Sequence, residues 1–165
     1  MQPAIGKDRG TVDMDSKQRL RLWIRLLRTT RYLEGELRER LRREMDTTLP
    51  RFDVMAALNR AALDRADTPM TMTELSRYLM VSNGNVTGII DRLVQDGLVT
   101  RSQKERDRRT SVVVLTEAGE AAFSRMAEAH EGWVDELLSS IEIEDAADMI
   151  DILTRFDRAQ RGQAT

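Results

Sequence analysis

Over residues 16–46, Leu20, Trp23, Leu27, Thr30, Leu37 and Leu41 recur at spacings of three, four and seven. That is the period of one face of an α-helix. A helix of ~31 residues rises ~46 Å, a long rod for a chain of 165 residues and 18.9 kDa. A stripe that the chain is too small to cover along its length needs a brace from elsewhere. The segment therefore predicts association with a second chain.

Composition removes several alternatives. There is no cysteine, so disulfides, thiolate metal ligands and cysteine nucleophiles are excluded. A single histidine excludes a multi-histidine zinc site, and no cofactor motif is present. No apolar run reaches the ~18 residues of a membrane span, and the first ten residues lack a signal-peptide core; the expected location is cytoplasmic. The net charge is only −2, but it is unevenly spread. Residues 16–46 carry ten basic and five acidic side chains, residues 77–110 seven and four, and residues 116–165 four and twelve. A basic middle can meet phosphates while an acidic end faces away from them.

Further along, Thr48 and Pro50 open a second helix bearing Phe52, Met55 and Leu58, proline being harmless in a first turn. Thr68-Pro69 reads as a turn. Thr71-Met72-Thr73-Glu74 has the spacing of a capping box and predicts a short helix through Leu75, Tyr78 and Leu79. After a tight turn, Ser82 caps another helix, which ends near Asp96 with Gly97 as its stop. The β-prone segments at residues 98–101 and 110–115 flank a very polar stretch and predict a hairpin with a charged tip. Thr116 caps a helix to about residue 139, and a last helix ends near residue 159.

Two short helices, a tight turn and a charged hairpin, in that order, define a winged helix-turn-helix. In the second helix Val86, Ile89, Ile90 and Leu93 share the core face. Gly84, Gly88, Asp91 and Gln95 lie opposite, flanked by Asn85, Thr87 and Arg92. Glycine costs a helix about 1 kcal/mol relative to alanine, so two on an exposed face point to close approach of a major groove. Asn83, Asn85 and Thr87 then face base edges, and Ser82 or Thr87 a phosphate. At the hairpin tip Arg101, Lys104, Arg106, Arg108 and Arg109 form a basic finger suited to a minor groove, with Asp107 bracing Arg109. The competing readings are a loosely wound polar face and a solvated charged loop.

The stretch from Met72 to Gly119 resembles the MarR family of bacterial regulators. Thr73-Glu74-Leu75, the run Val81-Ser82-Asn83-Gly84-Asn85-Val86-Thr87, the helix exit Asp91-Arg92-Leu93 through Gly97-Leu98-Val99, the wing residues Asp107-Arg108-Arg109 and the opening Thr116-Glu117-Ala118-Gly119 carry the likeness. The resemblance implies a mainly α fold. A winged helix-turn-helix DNA-binding domain at residues 48–116 would be flanked by dimerisation helices at 15–47 and 117–160. Residues 1–14 would form a disordered tail and 161–165 a short one. It implies a homodimer binding double-stranded DNA at a palindromic operator, its recognition helices about one turn, ~34 Å, apart. Ser82, Asn83, Asn85, Thr87, Gly88, Arg92, Arg106, Asp107, Arg108 and Arg109 would form the DNA contact, with Arg109 in the minor groove.

Many members of the family resemble repressors released by a small molecule. Their pockets use arginines of the first helix and an aromatic of the second, which here correspond to Arg28, Arg31 and Phe52. An arginine fork beside an apolar wall suits a small aromatic carboxylate or an acyl-CoA thioester. Trp23 and His130 are further wall candidates; packing is the alternative for Trp23 and Trp133, and solvation for the arginines. Lack of cysteine and the lone histidine argue against the family's thiol-oxidation and metal-sensing branches. An enzyme is disfavoured because no P-loop, dinucleotide fingerprint or nucleophile motif is present. The remaining rival is a winged-helix protein-interaction adaptor without specific DNA binding.

Overall fold

The computed structural model describes residues 9–64, 69–104 and 107–162, excepting the side chains of residues 9–13, 104 and 107–109. The elements run α1 (Arg9–Met45), α2 (Leu49–Asp64), β1 (Met70–Thr71), α3 (Met72–Tyr78), α4 (Asn83–Gln95), β2 (Val99–Lys104), β3 (Asp107–Leu115), α5 (Glu117–Leu138) and α6 (Ile143–Gly162). The mainly helical winged helix-turn-helix expected from the sequence is what the chain adopts. Two compact units divide it, residues 1–126 and 127–165.

Within the first unit, α1 has 37 residues. It begins at Arg9; of the tail expected over residues 1–14, residues 1–8 lie outside the described residues. No apolar period marks residues 9–15. A nucleated helix nevertheless extends at the gain of one hydrogen bond per added residue. Asp46 ends α1 in the left-handed conformation (φ 47°), and Thr47 N–H returns to Leu41 O at 3.2 Å. The Thr48 carbonyl then accepts from Arg51 and Phe52 N–H, both at 3.0 Å, opening α2 with Pro50 in its first turn. The turn expected at Thr68-Pro69 falls partly outside the described residues.

α2 is the centre of this unit. It packs on α1, α3, α4 and β3 and buries Phe52, Val54, Met55, Ala57, Leu58 and Ala61. Leu41 of α1, Leu75 of α3, Val86, Ile90 and Leu93 of α4, and Val99 and Val113 of the hairpin complete the core. Ile89, expected in that core, is half-buried.

The capping box forms as its spacing predicts. Thr71 Oγ1 accepts from Glu74 N–H at 3.2 Å, and the Glu74 carboxylate accepts from Thr71 N–H at 2.9 Å. α3 and α4 close in the same manner. Val81 N–H reaches Ser76 O and Met80 N–H reaches Arg77 O; Leu98 N–H reaches Leu93 O and Gly97 N–H reaches Val94 O. This paired return puts one residue in the left-handed conformation. At α4 that residue is Gly97 (φ 71°); at α3 it is Met80 (φ 54°).

The hairpin strands are longer than the sequence pattern indicates, pairing antiparallel from Val99↔Leu115 to Lys104↔Asp107 with an irregularity at Gln103/Lys104. β1 adds a third strand on β3, Met70↔Val113 and Thr71↔Val112, giving the order β1-β3-β2. Two residues are too few to show alternation in a sequence, and the pattern there predicts no strand.

The second unit holds the rest of α5 and all of α6. Trp133 is buried, in line with a packing role. α6 buries none of its residues; Met149, Ile152, Leu153 and Phe156 form an exposed apolar face. Among the described residues no helix is long and apolar enough to cross a membrane.

Candidate nucleic-acid interface

The geometry of α4 follows from its two ends and its core face. Ser82 caps it with an extended backbone, its Oγ accepting from Asn85 N–H at 3.4 Å. With Val86, Ile90 and Leu93 fully buried, the opposite side must face outward. Asn83, Gly84, Asn85, Gly88, Asp91, Arg92 and Gln95 are all exposed there.

Ser82 Oγ uses a lone pair for the cap and keeps its own O–H, which can be donated to a phosphate. Thr87 is half-buried, and its Oγ1 donates to Asn83 O at 2.9 Å. Its proton is committed, so it can accept from a base amine or offer its methyl group, but it cannot donate to a phosphate. Asn83 and Asn85 present their side chains on the open face.

Among the described residues nothing calls for the two glycines. A Cβ built at Gly84 or Gly88 meets nothing within 4 Å, and neither position needs a positive φ. Each lowers helix stability by about 1 kcal/mol relative to alanine with no packing gain in return. What they leave is a flat strip where another surface can come close to the backbone.

At the hairpin, Arg101 departs from its expected place in the basic tip. Its guanidinium lies 3.5 Å from Asp91 Oδ1 and 3.5 Å from Ser111 Oγ, tying the root of the wing to α4. Arg106 lies outside the described residues. Asp107, Arg108 and Arg109 are placed by backbone only, at the start of β3, and the brace expected between Asp107 and Arg109 lies outside the described side chains. No sequence spacing announced the Arg101–Asp91 pair, whose partners are ten residues apart on a helix and a strand.

Within the first unit the expected effector residues do not gather at one place. Arg28 lines an open groove of ≈ 600 Å³ along α1 with Arg21, Ile24, Arg25, Thr29 and Tyr32. Arg31 and Trp23 are exposed on the same helix but are not among its lining residues. Phe52 is buried in the core, its ring 5.7 Å from that of Phe123 on α5. Beside it, burial and the neighbouring Glu34 carboxylate push the Asp53 carboxyl above its ordinary range. His130 belongs to the second unit, where burial holds its imidazole below the usual pKa. Arg21, Arg25 and Tyr32 are not among the residues that the sequence reading singles out, although Arg21, Arg25 and Arg28 follow the helical spacing. No group of three or more potential metal ligands forms among the described residues.

Comparison with known proteins agrees with this arrangement. A family model described as MarR family matches residues 63–111. The transcriptional activatory protein BadR of Rhodopseudomonas palustris is 32% identical over 122 residues, covering 71% of this chain and 68% of its own length. A MarR family transcriptional regulator from Silicibacter pomeroyi superposes with a TM-score of 0.73 at 30% identity, covering 94% of this chain and 99% of that one. A mutant MarR from E. coli complexed with operator DNA gives a TM-score of 0.72 at 25% identity, covering 84% and 95%. Several curated relatives from Bacillus are matched over 64% of their length.

Proposed function

Because the chain belongs to the MarR family of winged-helix transcriptional regulators, DNA-binding proteins and not enzymes, we propose that it acts as a homodimer on a palindromic operator. The two copies of α4 enter successive major grooves on one side of the duplex. Asn83, Asn85 and Thr87 face the bases, Ser82 and Arg92 the phosphates, and the wing residues Arg106, Arg108 and Arg109 the flanking minor groove, with Asp107 orienting Arg109. The observation that carries this reading is the pair of outward glycines, Gly84 and Gly88, which nothing among the described residues calls for.

The homodimer is supported by apolar faces that the chain leaves uncovered: Leu20, Trp23 and Ile24 on α1, and Met149, Leu153 and Phe156 on α6. Exposed apolar surface of this extent marks an association site. In this reading the protein is a repressor released by an anionic aromatic effector, a small aromatic acid or its CoA thioester. The Arg21, Arg25 and Arg28 row beside Tyr32 supports that ligand class. Arg31, Phe52 and Trp23 would join the site only through rearrangement or a second copy, and His130, in the second unit, stays a further candidate for its wall.

A salt-series binding assay on the gene's upstream DNA, with a scrambled duplex as control, tests the DNA-binding part. Preference for the upstream fragment, with affinity falling steeply as salt rises, is the expected result. Equal weak binding to both duplexes would favour the adaptor reading. Adding aromatic carboxylates and their CoA thioesters to the bound complex tests release; an operator affinity that no compound changes would remove the effector.

A further inference from the structure

We propose that Arg51 is a positioning residue for DNA recognition, fixing the direction of α4 through its ion pair with Asp96; the inference rests on the DNA-binding reading above. Arg51 stands in the first turn of α2 and Asp96 caps the C-terminal end of α4, 45 residues away in the chain. The Arg51 Nη2 donates to Asp96 Oδ2.

Neither partner sits where folding by itself favours it. The Arg51 side chain is 22% exposed, and its Nε–H is buried with no acceptor among the described residues. A buried donor without a partner is costly, and an apolar side chain of similar volume removes that cost. Asp96 places a carboxylate against the negative end of its own helix dipole. The positive charge that this end favours is already supplied by Arg92 in the last turn of α4.

What the pair supplies is direction. α4 has 13 residues, a length of ~20 Å. Ser82 caps its start, and just beyond its far end Gly97 O accepts from Thr116 Oγ1 at 2.7 Å; the Arg51–Asp96 pair adds a hold on the helix end itself, from α2. A tilt of about 5° at the Asp96 end of a ~20 Å rod displaces Asn83 by ~1.7 Å. Hydrogen bonds to base edges survive only a few tenths of an ångström of misplacement. Arg51 is suited to the task because α2 is packed on four other elements of the first unit, and a planar guanidinium has a fixed donor geometry.

Asp96→Asn in the full chain separates positioning from simple electrostatics. Removing a negative charge near DNA, taken alone, tightens binding to every duplex. Loss of positioning instead weakens operator binding by about tenfold, comparable to one lost base contact, while binding to a scrambled duplex does not weaken. Amide hydrogen exchange of the DNA-free protein should rise at Asp96, Gly97 and Leu98 in the same variant. Arg51→Met should reproduce both changes while keeping or raising the melting temperature, which a purely structural role does not allow. Operator preference intact or improved in Asp96→Asn overturns the proposal, as does exchange at the α4 end that neither variant alters. A wild-type chain that binds both duplexes equally sinks the DNA-binding reading instead, and the exchange measurement still decides whether the pair holds α4.

Discussion

The first unit around α2 and the exposed faces of α1 and α6 solve the burial problem differently. In the α2–α3–α4–hairpin region a shared core is closed by the chain itself: Leu75, Val86, Ile90, Leu93, Val99 and Val113 are essentially solvent-free. Along the first half of α1 and all of α6 the apolar positions keep their helical spacing but remain in the open, with Trp23 57% and Phe156 59% exposed. The first region is finished by its own sequence, and its outward face is free to be polar or glycine. The second is unfinished within the chain, and in the proposed homodimer its stability would be coupled to the second copy.

The sharpest way to break the finished region is at Gly119. A Cβ there would lie 1.9 Å from the Leu98 carbonyl oxygen. That carbonyl also accepts from Thr116 N–H, and Thr116 Oγ1 both donates to Gly97 O and accepts from Gly119 N–H. The turn that ends α4 is thus pressed onto the start of α5, and backbone has to move to admit a methyl group. Gly119→Ala should cost about 3 kcal/mol, at the upper end for overpacking, and lower Tm by roughly 10 °C. A thermal scan within 2 °C of wild type would disprove the close contact.

The unfinished region should respond in association before it responds in folding. Leu153→Asp on α6 adds a charge to an exposed apolar face, at little cost to a single chain but at high cost to an interface. If the proposed homodimer forms through this face, sedimentation should show a dimer for wild type and a monomer for the variant at micromolar concentration, with operator affinity reduced about a hundredfold through loss of the second half-site. A variant that remains dimeric would move the interface away from α6.

A smaller test compares two helix ends of the same design. Met80 and Gly97 occupy equivalent left-handed positions after α3 and α4. An L-residue pays about 1 kcal/mol there, and the Met80 side chain, 93% exposed, recovers none of it by packing. Met80→Gly should therefore raise Tm by a few degrees, as judged from the usual size scaling; an unchanged or lower Tm would mean that the exposed thioether has a contact worth keeping.

Much of this was legible in the sequence because it depends on local spacing. The capping box at Thr71, the Ser82 cap, the Gly97 stop and the Thr116 cap each involve groups within a few residues of one another. The long first helix was legible from its period, though not its start at Arg9, where no apolar period exists. What stayed hidden was non-local. The Arg51–Asp96 and Arg101–Asp91 pairs join elements whose juxtaposition no periodicity encodes. The burial of Phe52 against Phe123 depends on how α2 meets α5. The spread of Arg28, Arg31, Phe52 and Trp23 likewise reflects how each helix is rolled in the unit.

The outward glycines distinguish stability from function more directly. Gly88→Ala should stabilise the chain by about 1 kcal/mol through helix propensity, since the added methyl group meets nothing. It should also weaken operator binding, because that methyl group stands between the backbone and the groove. Opposite signs in a thermal scan and a binding titration are the expected result. A variant gaining stability with unchanged operator affinity would reduce the flat strip to an idle surface.

The smallest effect concerns Asp53, where α2 meets α1. Burial first, and the Glu34 carboxylate second, raise its pKa in the folded chain. Its folded value therefore exceeds the unfolded one of about 3.9, and ionisation opposes folding. Below the unfolded value both states are protonated and the group has no effect. As pH rises through the folded value the native state loses stability, and the loss persists at neutral pH. This is opposite in sign to Glu39, whose pKa its hydrogen bond with Arg42 lowers. Asp53→Asn should thus melt above wild type at pH 7 and converge with it near pH 3.5, in the unfolded carboxylate range. Parallel melting curves at both pH values would show that α2 accepts the charged carboxylate without penalty.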